Sequence, residues 1–253
     1  MSTRKCIAVS KLGCIRKNNE DNLLFLGRYL PENNTGTEEW LIDQFQSYET
    51  IALGVFDGMG GHENGELAAD IAAKRFSEAN LHADNMEKEL IELCKNANEE
   101  ICTEKVNKAS NMGTTASVVV ANCNNLWCLN VGDSPIYLFR GDYVKALYVE
   151  HTEKMLFEKL NINYNGKKYK LTQYVGMKED EIEIEPAVCH VDLRENDTIL
   201  ICTDGLTDMV DLDEIKHEVV ASNGNIRRSA KHLLERAYKN GGRDNITFIL
   251  MRI

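Results

Sequence analysis

The sequence predicts an α+β fold in which antiparallel sheets pack together and pairs of helices lie outside them. Segments rich in β-branched and apolar residues recur in blocks, without strict alternation with helices. Amphipathic helical segments occur in two pairs, one early and one late in the chain. Only 3 prolines occur among 253 residues and no Pro- or Ser-rich linker divides them, so we expect one domain over residues 1–253.

The predicted strands are short segments with an alternating or continuously apolar pattern. They cover residues 5–10, 22–29, 50–56, 114–121, 126–131, 136–139, 143–149, 182–190, 197–203 and 245–252. Short turns separate several of them, such as Arg140-Gly141-Asp142 and Glu195-Asn196-Asp197. These turns predict antiparallel meanders.

Four segments have the three–four spacing of amphipathic helices. They cover residues 64–79, 85–106, 212–221 and 225–239. In the second, Leu90, Cys94 and Ile101 share one face. Residues 150–172 have weak periodicity, so they are the best candidate for a mobile surface insertion.

Charge and cysteine spacing exclude several classes of protein. The net charge of −11 argues against binding of nucleic acid or of an anionic membrane surface. No apolar run reaches the length of a membrane span. The segment MSTRKCIAVS turns polar too soon for a secretory signal and has Ser2 where myristoylation requires glycine, so we expect neither. The 8 cysteines contain no closely spaced pair, so we expect core thiols in a reducing cytoplasm and no zinc site.

Acidic residues stand beside small residues at predicted strand ends. They are Glu20 and Asp21 in RKNNEDN, Asp57 in VFDGMGG, Asp133 in NVGDS, Asp204 and Asp208 in TDGLTD, and Asp244 in GGRDN. Carboxylates gathered at one sheet edge repel one another unless a cation neutralises them. Oxygen ligands without His or Cys favour Mg²⁺ or Mn²⁺. Two such ions sharing a carboxylate can lower the pKa of a water and direct it at phosphorus.

Each of these motifs alone has a structural alternative. Asp57-Gly58 and Asp204-Gly205 are also hairpin signals, and Asp133-Ser134 could be a simple turn. The Gly-rich segment 58–65 precedes a helix, but Glu63 stands where a dinucleotide fingerprint requires its third glycine. The motifs therefore indicate function through their combination and order.

The ordered set of motifs resembles the metal-dependent protein phosphatases, the type-2C serine/threonine family, in its compact bacterial form. The segments that carry the resemblance are RKNNEDN, VFDGMGGHENGELAA, GTTASVVVA, LNVGDSPIYLFR, ICTDGLTDMV and GGRDNITFILM. The resemblance implies an αββα sandwich with a metal cleft at one end. It also implies hydrolysis of phosphoserine and phosphothreonine by a metal-bridged hydroxide, without a covalent phosphoenzyme. The expected cofactors are two Mn²⁺ or Mg²⁺ ions, with room for a third, weaker ion.

The resemblance assigns metal ligands by position. Asp57 would bridge two ions, and Asp204 and Asp244 would complete the first site. Glu20 and the backbone carbonyl of Gly58 would serve the second site, partly through water.

Further positions receive supporting roles from the same resemblance. Asp21 would support the ligands from behind, and Asp133 and Asp208 would hold the third ion. Arg16 would grip the substrate phosphate, for which its planar guanidinium is suited. His62 would protonate the leaving group or brace its loop.

The sequence departs from the family pattern near the cleft. Pro135 stands where many members have Arg, and Glu150-His151-Thr152 replaces the usual Asp-His-Ser. The divergent residues 150–172 are therefore expected to choose substrates and not chemistry.

Partner expectations complete the interpretation. They are phosphoprotein substrates, an opposing serine/threonine kinase, a monomeric state, and neither nucleic acid nor a membrane. Two other functions stay open from the sequence alone. One is a non-catalytic binding module on the same fold, and the other is a phosphatase for a small phosphorylated metabolite.

Overall fold

The computed structural model describes residues 2–59, 64–79, 81, 85–161, 168–178 and 183–253. The strands within these residues are β1 (Thr3–Lys11), β2 (Asp21–Phe25), β3 (Arg28–Tyr29), β4 (Leu41–Gln46), β5 (Ile51–Met59), β6 (Gly113–Thr114), β7 (Ala116–Asn122), β8 (Asn125–Val131), β9 (Ile136–Arg140), β10 (Tyr143–Ala146), β11 (Ala187–Asp192), β12 (Thr198–Cys202) and β13 (Ile246–Arg252). The helices are α1 (Gly65–Ser77), α2 (Met86–Lys108), α3 (Lys154–Lys159), α4 (Asp204–Thr207), α5 (Leu212–Ala221) and α6 (Ile226–Lys239).

The strands form two antiparallel sheets. The first sheet has the order β10-β9-β12-β13-β1-β4. The second has the order β11-β8-β7-β5-β2-β3, and β6 pairs with the end of β5. Strands near the two ends of the sequence therefore lie side by side, because β1 pairs with β13 from Lys5 and Arg252 to Lys11 and Ile246.

The sheets and helices stack in four layers, which confirms the predicted αββα sandwich. Along β5, Val55 points into the core between the sheets, whereas Phe56 packs under α1, with its ring 5.9 Å from that of Phe76. Along β13, Ile249 faces the second sheet and Leu250 faces α5 and α6. Both strands are thus covered on both faces, which explains their nearly continuous apolar sequences.

The predicted helix boundaries agree closely with those observed, but several strand predictions need correction. Positive φ angles at Leu26 and Gly27 break the predicted strand 22–29 into β2 and β3. The prediction missed β4, an edge strand that exposes Asp43 to solvent. The Gly141 turn does form a hairpin, because β9 pairs with β10. The turn 195–197 does not, since it connects β11 in one sheet to β12 in the other.

The cysteines also depart in part from the expectation of core thiols. Cys6, Cys94 and Cys202 are buried, but Cys14 and Cys123 are exposed. Across the described part of the chain, none of the helices is long and apolar enough to cross a membrane.

Candidate active site

A cleft of about 410 Å³ opens at one end of the sandwich. Its lining residues are Arg16, Glu20, Asp57, Gly58, Met59, Thr115, Asp133, Lys168, Tyr169, Leu171, Asp204 and Asp244. The structure therefore brings together seven of the residues singled out in the sequence, from segments that are far apart in the chain. They meet because β5, β8 and β12 end at this rim and β2 and β13 begin there.

Asp57 is held by its own backbone at the end of β5. Its N–H donates to Thr115 Oγ1 at 3.0 Å, and the Thr115 N–H donates to the Asp57 carbonyl at 2.9 Å. Thr115 Oγ1 also shares a hydrogen bond with Ser134 Oγ at 2.7 Å. Neither Thr115 nor Ser134 was predicted as a site residue. Their hydroxyls nevertheless fix the backbone of Asp57, and with it the position of the Asp57 carboxylate in the cleft.

Gly58 is required by close backbone packing. Its N–H donates to the Glu20 carbonyl at 3.1 Å. A Cβ at this position would lie 2.3 Å from the Gly65 carbonyl oxygen and 2.4 Å from that of Glu20. Any side chain here would push the start of α1 away from the end of β5.

Asn245 connects the acidic loops, a role that was not predicted from the sequence. Its Oδ1 accepts from the Glu20 N–H at 2.9 Å, and its Nδ2 donates to the carbonyls of Leu12 and Asn18, each at 3.0 Å. The backbone N–H of Asn245 donates to Asp244 Oδ1 at 2.8 Å. A single amide therefore sets the loop that bears Glu20 against the strand that follows Asp244. The position of Asn245 directly after Asp244 in GGRDN was the sequence signal that could have indicated this role.

Asp21 lies behind the cleft and does not line it. Asp21 is buried, its backbone pairs in register with Asp57 between β2 and β5, and its carboxylate accepts a hydrogen bond from Thr203 Oγ1 at 2.9 Å. Burial raises the pKa of Asp21 to about 7, hydrogen bonds from Thr247 and Thr203 oppose the rise, and the charges of Asp244 and Glu20 add to it.

Two carboxylates inside the cleft, those of Asp57 and Asp133, also have raised pKa values. Burial is the largest cause for Asp57, followed by repulsion from Asp21 and Asp133, and together they hold its pKa well above the usual range. Burial likewise raises the pKa of Asp133, although the charge of Lys168 opposes this. Crowded carboxylates of this kind gain stability when a cation shares their space.

Two basic side chains already supply part of that positive charge. Arg16 Nη2 lies 2.7 Å from Asp244 Oδ2 at the exposed rim. Lys168 contacts the carboxylate of Asp204 directly and lies 3.8 Å from Asp208 Oδ2. Asp208 is half-exposed and sits at the edge of the cleft. Lys168 was not singled out in the sequence, because no local pattern connects it with Asp204.

Lys168 reaches the cleft from the predicted insertion 150–172. The base of this segment is closed, since the Thr172 N–H donates to the His151 carbonyl at 2.9 Å and the Glu153 N–H donates to the Lys170 carbonyl at 2.9 Å. His151 anchors the base to the turn that bears Asp133, because its Nδ1 accepts from the Gly132 N–H at 3.1 Å.

The donor set fits a hard divalent cation. The acidic groups around the cleft offer carboxylate oxygens, and none of the described residues that line it is a cysteine or a histidine. Among the described residues no three acidic, His or Cys side chains form a closed metal-ligand group. Mg²⁺ is typically held by one or two carboxylates with waters in the other positions, so an open and shared arrangement suits it. His62 lies outside the described residues.

Comparisons with known proteins find similarity to phosphatases. The family model described as protein phosphatase 2C matches residues 32–246. The chain is 31% identical over 211 residues to the serine/threonine phosphatase stp of Listeria innocua, covering 78% of this chain and 82% of that protein.

Solved structures show the same fold. The serine/threonine phosphatase PstP/Ppp of Mycobacterium tuberculosis superposes with a TM-score of 0.81 at 22% identity, over 100% of this chain and 99% of that one. The catalytic domain of PstP in complex with 2 manganese ions gives a TM-score of 0.77 at 23% identity, over 99% of each chain.

Proposed function

The chain belongs to the protein phosphatase 2C family and is a metal-dependent protein serine/threonine phosphatase, and we propose that the acidic cleft is its active site. The observation that carries this proposal is the convergence of Asp57, Asp133, Asp204 and Asp244 on one cleft with Arg16 at its rim. Its substrates are phosphoproteins, and its cofactor is Mn²⁺ or Mg²⁺.

The cleft residues divide into cation ligands and a phosphate contact. Asp57, Asp204 and Asp244, with Glu20 and the Gly58 carbonyl, would hold two divalent cations. Bound there, the cations supply Lewis-acid activation of water and neutralise charge on the phosphoryl group. The PstP structure with 2 manganese ions supports this number of ions.

Supporting positions shape and charge the same site. Asp133 and Asp208 would hold a third, weaker ion, and Asp21 would orient the ligands from behind. Arg16 is at the exposed rim, where its guanidinium can leave Asp244 and donate two hydrogen bonds to phosphate oxygens. This contact would orient the phosphorus and oppose the charge that builds as the ester bond breaks.

The proposal is tested with a phosphothreonine peptide and the purified chain. Turnover should require added Mn²⁺ or Mg²⁺, stop with EDTA, and disappear in Asp57→Asn. The matched control is Asp142→Asn, which removes the same charge from the exposed β9–β10 turn and should keep wild-type turnover. Unchanged turnover in Asp57→Asn would refute the assignment of the cleft. Faster hydrolysis of a small phosphoester than of the peptide would favour a metabolite phosphatase.

Residues 150–172 would select the substrate. Lys168, Tyr169 and Leu171 from this segment line the cleft, and its paired base holds them there. Replacing residues 153–170 with a short Gly-rich linker, while keeping His151 and Thr172, should change peptide preference but preserve hydrolysis of an aryl phosphate. Equal loss on both substrates would contradict this role.

The remaining assignments follow from the family and the charge of the chain. Residues 1–253 would act as one phosphatase domain and as a monomer in the cytoplasm, opposing a serine/threonine kinase. Size-exclusion chromatography tests the monomer. The net charge of −11 disfavours binding to nucleic acid or to an anionic membrane.

A further inference from the structure

Cys128 and Cys189 face each other across neighbouring strands, away from the acidic cleft. Cys128 lies on β8 and Cys189 on β11, and the antiparallel register pairs them directly. Residues paired in this way point to the same face of a sheet, with their Cα atoms about 4.5 or about 5.5 Å apart. A disulfide requires a Cα separation of roughly 4.4–6.8 Å, so either spacing accommodates one without movement of the strands. Both cysteines are free thiols in this structure.

The two thiols differ in access. Cys128 is 1% exposed within the core between the sheets. Cys189 is half-buried and lines a recess of about 160 Å³, together with Lys145 and Leu147. A small oxidant can therefore reach Cys189 from solvent, whereas Cys128 is reached through Cys189.

The two thiols also differ in acidity. A hydrogen bond from Cys128 lowers the pKa of Cys189 to about 7, against the opposing effect of burial, and the charge of Lys145 lowers it further. Burial raises the pKa of Cys128 well above the ordinary range. The Cys189 Sγ also donates to the Leu147 carbonyl at 3.6 Å, a long contact that the thiolate gives up. A more acidic, accessible thiol beside a buried partner is typical of peroxide-sensing cysteines.

We propose that Cys189 and Cys128 form a peroxide-responsive dithiol, in which Cys189 reacts with the oxidant and Cys128 resolves it to a disulfide. The Cys189 sulfur attacks one oxygen of hydrogen peroxide, the O–O bond breaks, and a sulfenic acid and one water result. The Cys128 sulfur then attacks the Cys189 sulfur, the S–O bond breaks, and a second water leaves with the Cys128 proton. Two thiols are oxidised to one disulfide, and one hydrogen peroxide is reduced to two waters.

The disulfide would enclose a functional part of the chain. The segment between the two cysteines contains both Asp133 and Lys168, which line the cleft. Two residues after Cys128, the Asn130 side chain donates to the Val149 carbonyl at 2.7 Å and accepts from its N–H at 2.9 Å. The disulfide would close a covalent loop that consists of the whole segment from Cys128 on β8 to Cys189 on β11. This segment leaves the second sheet after β8 and returns to it at β11.

The test treats the purified, reduced full chain with stoichiometric hydrogen peroxide, alkylates the remaining thiols and maps disulfides by mass spectrometry. We expect one reversible link between the peptides that contain Cys128 and Cys189. Oxidation of Cys189 should be roughly tenfold faster than that of free N-acetylcysteine at pH 7, because more of it is thiolate. Dithiothreitol should restore both thiols.

Variants separate the two roles. Cys189→Ser should abolish the link, and Cys128→Ala should leave a Cys189 sulfenic acid that dimedone traps. Cys123→Ser removes an exposed thiol outside the pair and should form the link at the wild-type level. The proposal is overturned if wild-type Cys128 and Cys189 both remain alkylatable while Cys14 or Cys123 is oxidised. Because this readout uses the wild-type chain, it stands even if a core variant folds poorly.

Discussion

Replacing Asp21 with Asn should flatten the pH dependence of the stability of the metal-free protein. The carboxyl of Asp21 is buried behind the cleft, where burial raises its pKa from 3.8 to about 7. A raised pKa means that the folded state binds the proton more tightly than the unfolded state does. The group therefore contributes stability below about pH 4 that is lost as the pH rises through about 7.

The size of the effect follows from the two pKa values. With 3.8 in the unfolded chain and about 7 in the fold, the Asp21 contribution to the free energy of unfolding falls by about 2.5 kcal/mol between pH 5 and pH 8. The difference in this loss between the wild type and Asp21→Asn should be at least this large, since Asp21 is also the strongest charge raising the pKa of Asp57. Thr203 Oγ1 can still donate to the Asn side-chain oxygen.

The assay is urea denaturation at pH 5 and pH 8 in EDTA, followed by circular dichroism. The wild-type protein should lose stability between these pH values, and the loss in Asp21→Asn should be smaller by at least about 2.5 kcal/mol. Asp142→Asn, in the exposed turn between β9 and β10, is the control and should behave as the wild type. If Asp21→Asn shows the same loss as the wild type, the buried carboxyl is not the source of the pH dependence.

Three further changes test other contacts of the cleft. Lys168→Met should lower the Mn²⁺ dissociation constant by up to about fivefold in calorimetry, because the half-exposed lysine competes for Asp204; a weaker affinity would contradict this competition. Arg16→Ala should lower kcat/KM for a phosphopeptide by about 10–100-fold in steady-state kinetics, because a hydrogen bond to a charged group contributes a free energy of this size. An unchanged kcat/KM would show that Arg16 does not bind the substrate phosphate. Gly58→Ala should destabilise the fold by about 1–3 kcal/mol in thermal unfolding, because its Cβ would collide with the Glu20 and Gly65 carbonyls; a wild-type Tm would show that the backbone there relaxes freely.

The sequence predicted those parts of the fold that are encoded by periodicity. The boundaries of α1, α2, α5 and α6 were recovered because the apolar faces of these helices pack against a sheet over several turns, whereas the short helices α3 and α4 were not predicted. The edge strand β4 was missed because one face is open to solvent, so Asp43 and Gln44 interrupt the strand pattern. The turn 195–197 reverses the chain locally, but nothing in its sequence states which sheet receives the next strand.

In the site, too, residues marked by a local pattern were predicted, and a residue placed by tertiary structure was not. Asp57, Asp133, Asp204 and Asp244 were predicted together because each occupies a strand end, and strand ends share a rim. Lys168 could not be predicted, since its contact with Asp204 depends on how a weakly patterned segment folds back over the cleft.

The pairing of β1 with β13 has a consequence for folding during synthesis on the ribosome. During synthesis β1 emerges from the ribosome long before β13, its partner in the middle of the first sheet. Until then, β1 can pair only with β4, and neither Asp244 nor Asn245 is present to complete the cleft. The nascent chain should therefore stay without phosphatase activity until translation has passed β13.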